Sequence, residues 1–193
     1  MASPTVTDVL DYLFPQGWIR PEHWGSLPLV RFPDRSAEWE VPHTQWHLDA
    51  PATPDEPTIA RLFVLAAPQK PRGGSTLVVT GSHLLFQRFA RREGRMLRSA
   101  EVKKRMLAEY DWFAKLNSGA ERYDRARRFM DESGIVDGVE VRVAEMIGEA
   151  GDVFFMHPAL LHAPSRNVLD QPRLGLTQWI DAKGQAPCLR TQA

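Results

Sequence analysis

The 193 residues carry 24 Lys and Arg against 24 Asp and Glu, so no global field draws the chain to nucleic acid or a membrane surface. The length suits one domain around one core. A single cysteine, Cys188, excludes an internal disulfide framework and fits a reducing, cytoplasmic setting. Met1 to Asp11 holds acids and no basic leader, so it does not read as a signal peptide. Apolar runs such as Leu62 to Pro68 are too short to cross a bilayer.

Taken in order, Thr5 to Phe14 predicts a short helix, capped by Thr5 or Thr7 and stopped by Pro15-Gln-Gly17. Trp18 to Glu40 lacks a sustained period and reads as irregular chain over one end of the core, with Trp18, Trp24 and Trp39 as packing residues. Val41 to Asp49 predicts a strand with His43, Gln45, His47 and Asp49 on one face. A polar row of this kind suits a site better than a core. Ile59 to Ala67 and Ser75 to Thr80 predict two strands of an antiparallel hairpin, turned at Pro68 to Gly74, with Gly81-Ser82-His83 a tight turn after it.

From Leu84 to about Ser133 helix formers take over and apolar residues recur at helical spacing, which predicts two or three helices broken near Gly94 and Asn117-Ser-Gly119. Gln87 to Arg128 holds 13 Lys or Arg against 6 Asp or Glu. That surplus reads either as a solvated helical face or as an electropositive lid for an anionic substrate. Val139 to Met146 and Val153 to Met156 predict strands, separated by a Gly148–Asp152 turn. Two histidines follow, His157 and His162, then a polar turn with Asn167, Asp170 and Pro172, then a strand from Arg173. The turn should fold the Arg173 strand beside the Val153 strand. Trp179, evenly spaced from Arg173, should point inward as a pocket wall. Gly73-Gly74 lacks the following helix and lysine of a phosphate loop. Strands, a helical block and more strands make an α+β chain. Ligands at both ends of the strand set suggest a jelly roll, which brings distant strands together.

His47 and Asp49, two apart, point the same way on a strand. A third ligand from a distant strand would give two histidines and a carboxylate on one face of an octahedron, the facial triad of non-haem iron(II) oxygenases. Three open positions suit a two-toothed 2-oxo acid and dioxygen. Arg173 could then grip the acid's far carboxylate with a two-pronged charged hydrogen bond.

At these residues the chain resembles the phytanoyl-CoA dioxygenase-like family of iron(II)/2-oxoglutarate oxygenases. The matching pieces are Trp46-His47-Leu48-Asp49, Gly73-Gly74-Ser75-Thr76 leading to Gly81-Ser82-His83, and Gly151-Asp152 leading to His157, His162 and Arg173. The resemblance implies a mainly β double-stranded β-helix (jelly roll) with a helical insert at about 84–133, the whole of 1–193 being one oxygenase domain. It implies iron(II) held by His47, Asp49 and His162, His162 being preferred to His157 for its spacing to Arg173. It implies 2-oxoglutarate anchored by Arg173, with Thr76 and His83 beside it. His43, Gln45 and Trp179 are then substrate-pocket candidates. His43 and Gln45 could equally support the ligands, and His83 could equally cap its turn.

The implied reaction consumes dioxygen and 2-oxoglutarate, releases succinate and carbon dioxide, and hydroxylates or otherwise oxidises a small molecule. With Asp49 filling the third ligand position, halogenation is not expected. Two departures from the family pattern stand out. Only 46 residues precede His47, so an outer strand or lid is expected to be missing. The position two after His162, often Ser or Thr in the family, is Pro164, with Ser165 next. Two other readings fit the same residues: a cupin-like metal hydrolase or isomerase, and a jelly roll that binds a ligand without turnover.

Overall fold

A computed structural model describes residues 3–25, 27–36, 38–120 and 124–184; Cys188 and the polar tail around it lie outside them. The first element is a helix, α1 (Pro4–Leu13), that buries Leu10. Its N-cap is Ser3, whose hydroxyl accepts from the Val6 amide. The cap therefore lies just ahead of the two threonines expected to supply it, because Pro4 takes the first helical position, where its missing N–H costs nothing.

Two antiparallel sheets form the body. One has the order β1 (Leu27–Arg31), β9 (Arg173–Asp181), β2 (Ile59–Leu65), β7 (Val153–Met156). The other has the order β6 (Val143–Glu145), β3 (Thr76–Val79), β8 (His162–Pro164). Phe63 and Met156 from the first sheet meet Val78 and Met146 in one buried cluster. The facing surfaces therefore enclose an apolar interior. A separate hairpin pairs β4 (Gly134–Val136) with β5 (Val139–Val141). Its turn residues, Asp137 and Gly138, both have positive φ, as a two-residue hairpin turn demands.

The helical block lies where the composition changes. α2 (Ser82–Glu93) ends at Gly94 in the left-handed conformation, and α3 (Ser99–Glu109), α4 (Asp111–Leu116) and a π-helical turn, Arg127–Asp131, follow. Phe86, Phe89, Phe113 and Phe129 from this block form a large core with Leu77, Val79 and Val141. Leu77 and Val79 lie on the opposite face of β3 from Val78. The helices thus cover the outside of the smaller sheet.

Six expectations about the strands and their turns need correction. The Val41–Asp49 stretch is not a strand. It touches the sheet at a single bridge, His47 to His162, because Gln45 takes a left-handed φ of 66° that breaks the alternation. The Ile59 and Ser75 strands do not form a hairpin. Arg72 and Gly74, both at positive φ, turn the chain from one sheet to the other. Ser82 and His83 begin α2, the tight turn being Thr80-Gly81. Val139–Met146 splits at Arg142 into β5, which joins the hairpin, and β6. β7 and β9 are not neighbours, because β2 lies between them and pairs with both. The segment read as irregular also holds a strand, β1, which pairs along its length with β9. Trp18 and Trp24 do pack there, edge to face, against the cluster around Leu10 and Ile180.

Candidate metal and anion site

Two segments bring the ligands together. His47 and His162 face each other across an antiparallel bridge, His47 N donating to His162 O at 2.9 Å and His162 N to His47 O at 3.1 Å. Their rings are 4.2 Å apart. The loop leading to His47 is held independently. Buried Trp46 donates from its indole to Pro42 O at 2.8 Å. Buried Arg125 donates from Nε to Val41 O at 2.7 Å and from Nη2 to Pro42 O at 3.1 Å. Loop backbone that would otherwise lack partners is thus satisfied by side chains.

Each imidazole has its proton assigned by a backbone carbonyl. His47 Nδ1 lies 2.8 Å from Gln45 O and His162 Nδ1 lies 3.0 Å from Leu160 O. With Nδ1–H donating, Nε2 is the atom that faces Asp49 on both rings: protonated it donates to the carboxylate, and unprotonated it offers a lone pair to a metal. His47 Nε2 is 3.6 Å from Asp49 Oδ1 and His162 Nε2 is 3.3 Å from Asp49 Oδ2. A ligand atom from each of the three residues lies within 4.8 Å of the others. Two imidazole nitrogens and one carboxylate converging in this way fit a divalent transition metal and leave positions free.

Asp49 is 2 % exposed. Burial alone would raise its pKa, but hydrogen bonds from His162 and His47 and the charge of Arg61 hold the carboxyl well below the usual range. His47 is shifted the other way, upward, chiefly by its hydrogen bond to Asp49 and against the effect of burial. Arg61 was not expected here. It is buried on β2 and donates from Nη1 to Asp49 Oδ2. Its signal in the sequence was a lone cation within the apolar run Ile59–Leu65.

Arg173 begins β9 and is 8 % exposed. It lies on the larger sheet and His162 on the smaller, so the two are not on neighbouring strands as expected. Arg173 reaches across instead, donating from Nη2 to Thr76 Oγ1 on β3 at 2.9 Å. Its Nε is buried with no partner, and among the described residues no carboxylate pairs with it. Burial and the neighbouring Arg31, directly across the strand pair, push its pKa down to about 10. A buried guanidinium in that state is poised to take an anion.

The other expected residues divide. Trp179 points inward, as its spacing requires, with the Arg61 guanidinium 5.0 Å from its ring. His43 and Gln45 do not share a strand face with the triad. They line a cavity of about 580 Å³ with Arg31, Glu40, Pro164 and Ser165. None of the triad lines this cavity, whose walls include Gln45 and Pro164, two residues from His47 and from His162. Ser165, the hydroxyl displaced by one position, has a buried Oγ without a partner. The His83 ring lies tilted against that of His157, with centroids 4.8 Å apart, and neither belongs to the metal-ligating group. Arg88 and Arg91 pair with acids outside the block, Asp137 and Glu56, and Arg92 and Arg95 pair within it; all four cations are exposed, which favours the solvated face over the lid.

The family model for phytanoyl-CoA dioxygenase (PhyH) matches residues 2–175. No curated protein matches the sequence significantly. Among solved structures the chain is similar to the non-heme monooxygenase ThoJ in its apo form. Identity is 15 %, the TM-score is 0.51, and 98 % of this chain and 58 % of that one are covered. It is also similar to the non-heme alpha-ketoglutarate-dependent carbocyclase SnoK from nogalamycin biosynthesis, at 19 % identity and a TM-score of 0.48, covering 80 % of this chain and 47 % of that one. The same identity and coverage, with a TM-score of 0.43, relate it to the epimerase SnoN in complex with Fe3+, alpha-ketoglutarate and nogalamycin RO. The chain thus spans about half the length of these solved relatives.

Proposed function

Because the chain belongs to the phytanoyl-CoA dioxygenase (PhyH) family, we propose that it is an iron(II)- and 2-oxoglutarate-dependent dioxygenase that hydroxylates a small molecule. The two facing sheets are then the halves of a jelly roll with a helical insert, all one oxygenase domain. The observation that carries the reading is the pairing of an intact donor set, His47, Asp49 and His162, with a buried arginine, Arg173, that has no carboxylate partner among the described residues. Other metal chemistries need the first. A dicarboxylate cosubstrate also gives Arg173 an anion to hold.

His47, Asp49 and His162 would hold the iron, the two histidines through Nε2, since each Nδ1 faces a backbone carbonyl. Arg173 would grip the far carboxylate of 2-oxoglutarate and Thr76 would fix the guanidinium. The cavity bordered by His43, Gln45 and Ser165 would admit the substrate, with Trp179 walling the interior. When bound, iron supplies the redox chemistry by which dioxygen is split. Dioxygen, 2-oxoglutarate and the substrate would be consumed together, giving succinate, carbon dioxide and a hydroxylated product. The protein's part is to bind, to aim and to exclude water.

Adding 2-oxoglutarate to the anaerobic iron(II)-loaded protein should produce a weak visible charge-transfer band. Admitting air should then yield succinate slowly without any substrate. A protein that binds iron but gives neither band nor succinate would point to the metal hydrolase or isomerase reading. One that shows the band but never turns over would point to a binding module.

A further inference from the structure

β2 is apolar at every position but one. The exception, Arg61, is 8 % exposed. Its guanidinium lies 5.3 Å from the Phe63 ring and 5.0 Å from the Trp179 ring. Its Nη1 donates to Asp49 Oδ2, and its Nε is buried with no partner. Resting on the reading of His47, Asp49 and His162 as the iron site, we propose that Arg61 is a positioning residue: it neutralises the ligand carboxylate, caps one of its oxygens, and lowers the affinity of the triad for the metal.

The alternative is a plain structural strut, and the hydrogen bonding argues against it. A buried arginine that serves packing alone needs its donors satisfied, because each bare donor costs free energy. Arg61 leaves Nε bare while aiming Nη1 at a metal ligand. The need lies with Asp49. Its carboxylate is almost fully buried, and the two histidines beside it donate their Nδ1 protons to backbone carbonyls. The guanidinium keeps a positive charge beside Asp49 whether or not an ion is present and whatever proton the two histidines carry.

Two consequences follow for an incoming divalent ion. With Oδ2 capped, Asp49 offers the ion a single oxygen, so more of the coordination sphere stays open for cosubstrate and dioxygen. The ion also meets a carboxylate that is already neutralised and a fixed like charge close by. Removing the charge should therefore tighten metal binding. Loss of orientation would act the other way, but the two histidine rings are set by their own backbone bridge and carbonyl contacts, which do not involve Arg61.

The test uses the full chain, metal-free, titrated with Mn(II) without cosubstrate, with free Mn(II) followed by its electron paramagnetic resonance signal. Arg61→Met and Arg61→Gln remove the charge, and the methionine stem still fits between the two aromatic rings. Arg61→Lys keeps the charge. The Met and Gln variants should bind Mn(II) about tenfold or more tightly than wild type, and the Lys variant about as wild type does. Metal-free, the Met and Gln variants should melt below wild type, and Mn(II) should raise their melting temperature by more than it raises that of wild type. A strut would lower the melting temperature without tightening the metal. Uncharged variants that bind Mn(II) no better than wild type would overturn the role of Arg61. A wild type that takes up no Mn(II) would instead overturn the underlying metal site.

Discussion

Replacing Arg173 by alanine should weaken 2-oxoglutarate while leaving the metal-free protein as stable as before or more so. The two halves follow from one observation. Without cosubstrate the guanidinium is buried, has Thr76 Oγ1 as its acceptor, and faces Arg31 across the strand pair. A buried cation in that state contributes little to the fold, and like charges directly opposite are unfavourable. With cosubstrate it gains a carboxylate. A hydrogen bond to a charged group contributes roughly 1.5–3 kcal/mol, and stranding one partner of a buried pair costs ~3–5 kcal/mol. The lower value alone predicts a weakening of about tenfold, and the upper range about a hundredfold to a few thousandfold. Calorimetric titration of 2-oxoglutarate into Mn(II)-loaded wild type, Arg173→Ala and Arg173→Lys gives the affinities. Lysine should recover part of the loss, since it keeps the charge but not the fork. A melting curve of each metal-free protein gives the second readout. If Arg173→Ala lowers the metal-free melting temperature and leaves 2-oxoglutarate affinity unchanged, Arg173 is a strut and the anchor argument fails.

Metal affinity should rise with pH. The raised pKa of His47 favours its protonated form, so the stability it lends the metal-free protein is full below ~6.5 and is lost as pH rises through the folded value. Metal-induced stabilisation should grow over that window, and a pH-independent metal affinity would contradict it. His157 shifts oppositely. Its desolvated ring, beside His83, has its pKa pushed down to about 4. Below an unfolded value of ~6.5 the unfolded chain takes the proton first, so stability should fall by about 1.4 kcal/mol per pH unit until the folded value is reached. Urea unfolding across that range should show the slope in wild type and a shallower one in His157→Gln. Gly81→Ala should destabilise by ~1–3 kcal/mol or more. Gly81 has φ +73°, and a Cβ there would lie 2.5 Å from the Glu140 carbonyl oxygen. A thermal melt indistinguishable from wild type would refute this.

The residues that meet at the site were legible because chemistry constrained them more tightly than backbone did. His47, Asp49 and His162 were found by residue type and order, although the strand assumed to carry the first two does not exist. Their convergence comes instead from one bridge to His162 and from the Trp46 and Arg125 contacts to Pro42. The helical block was legible because periodicity over many residues survives local irregularity. Strand partners were not. β2 and β3 look like a hairpin in sequence, and only the left-handed Arg72 and Gly74 send them to different sheets. β1 was missed because its alternation is weak, four of its five residues being exposed at the sheet edge. Arg61 was visible as a charge in an apolar run but had no assigned partner, since nothing in sequence spacing connects it to Asp49.

The same bridge makes strand closure and site assembly one event. His47 and His162 each donate and accept a backbone hydrogen bond with the other, so the pairing that ends the smaller sheet also sets the distance between the two imidazoles. Arg173 does the corresponding work from the other sheet, since its bond to Thr76 ties β9 to β3. His47 and His162 therefore sit at the edge of one sheet, and Arg173, the proposed anion anchor, comes from the other. A cosubstrate that chelates iron at one end and meets Arg173 at the other would span the two sheets. Its binding free energy would then oppose their separation, and cosubstrate and metal together should protect β3, β8 and β9 from hydrogen exchange more than metal does alone.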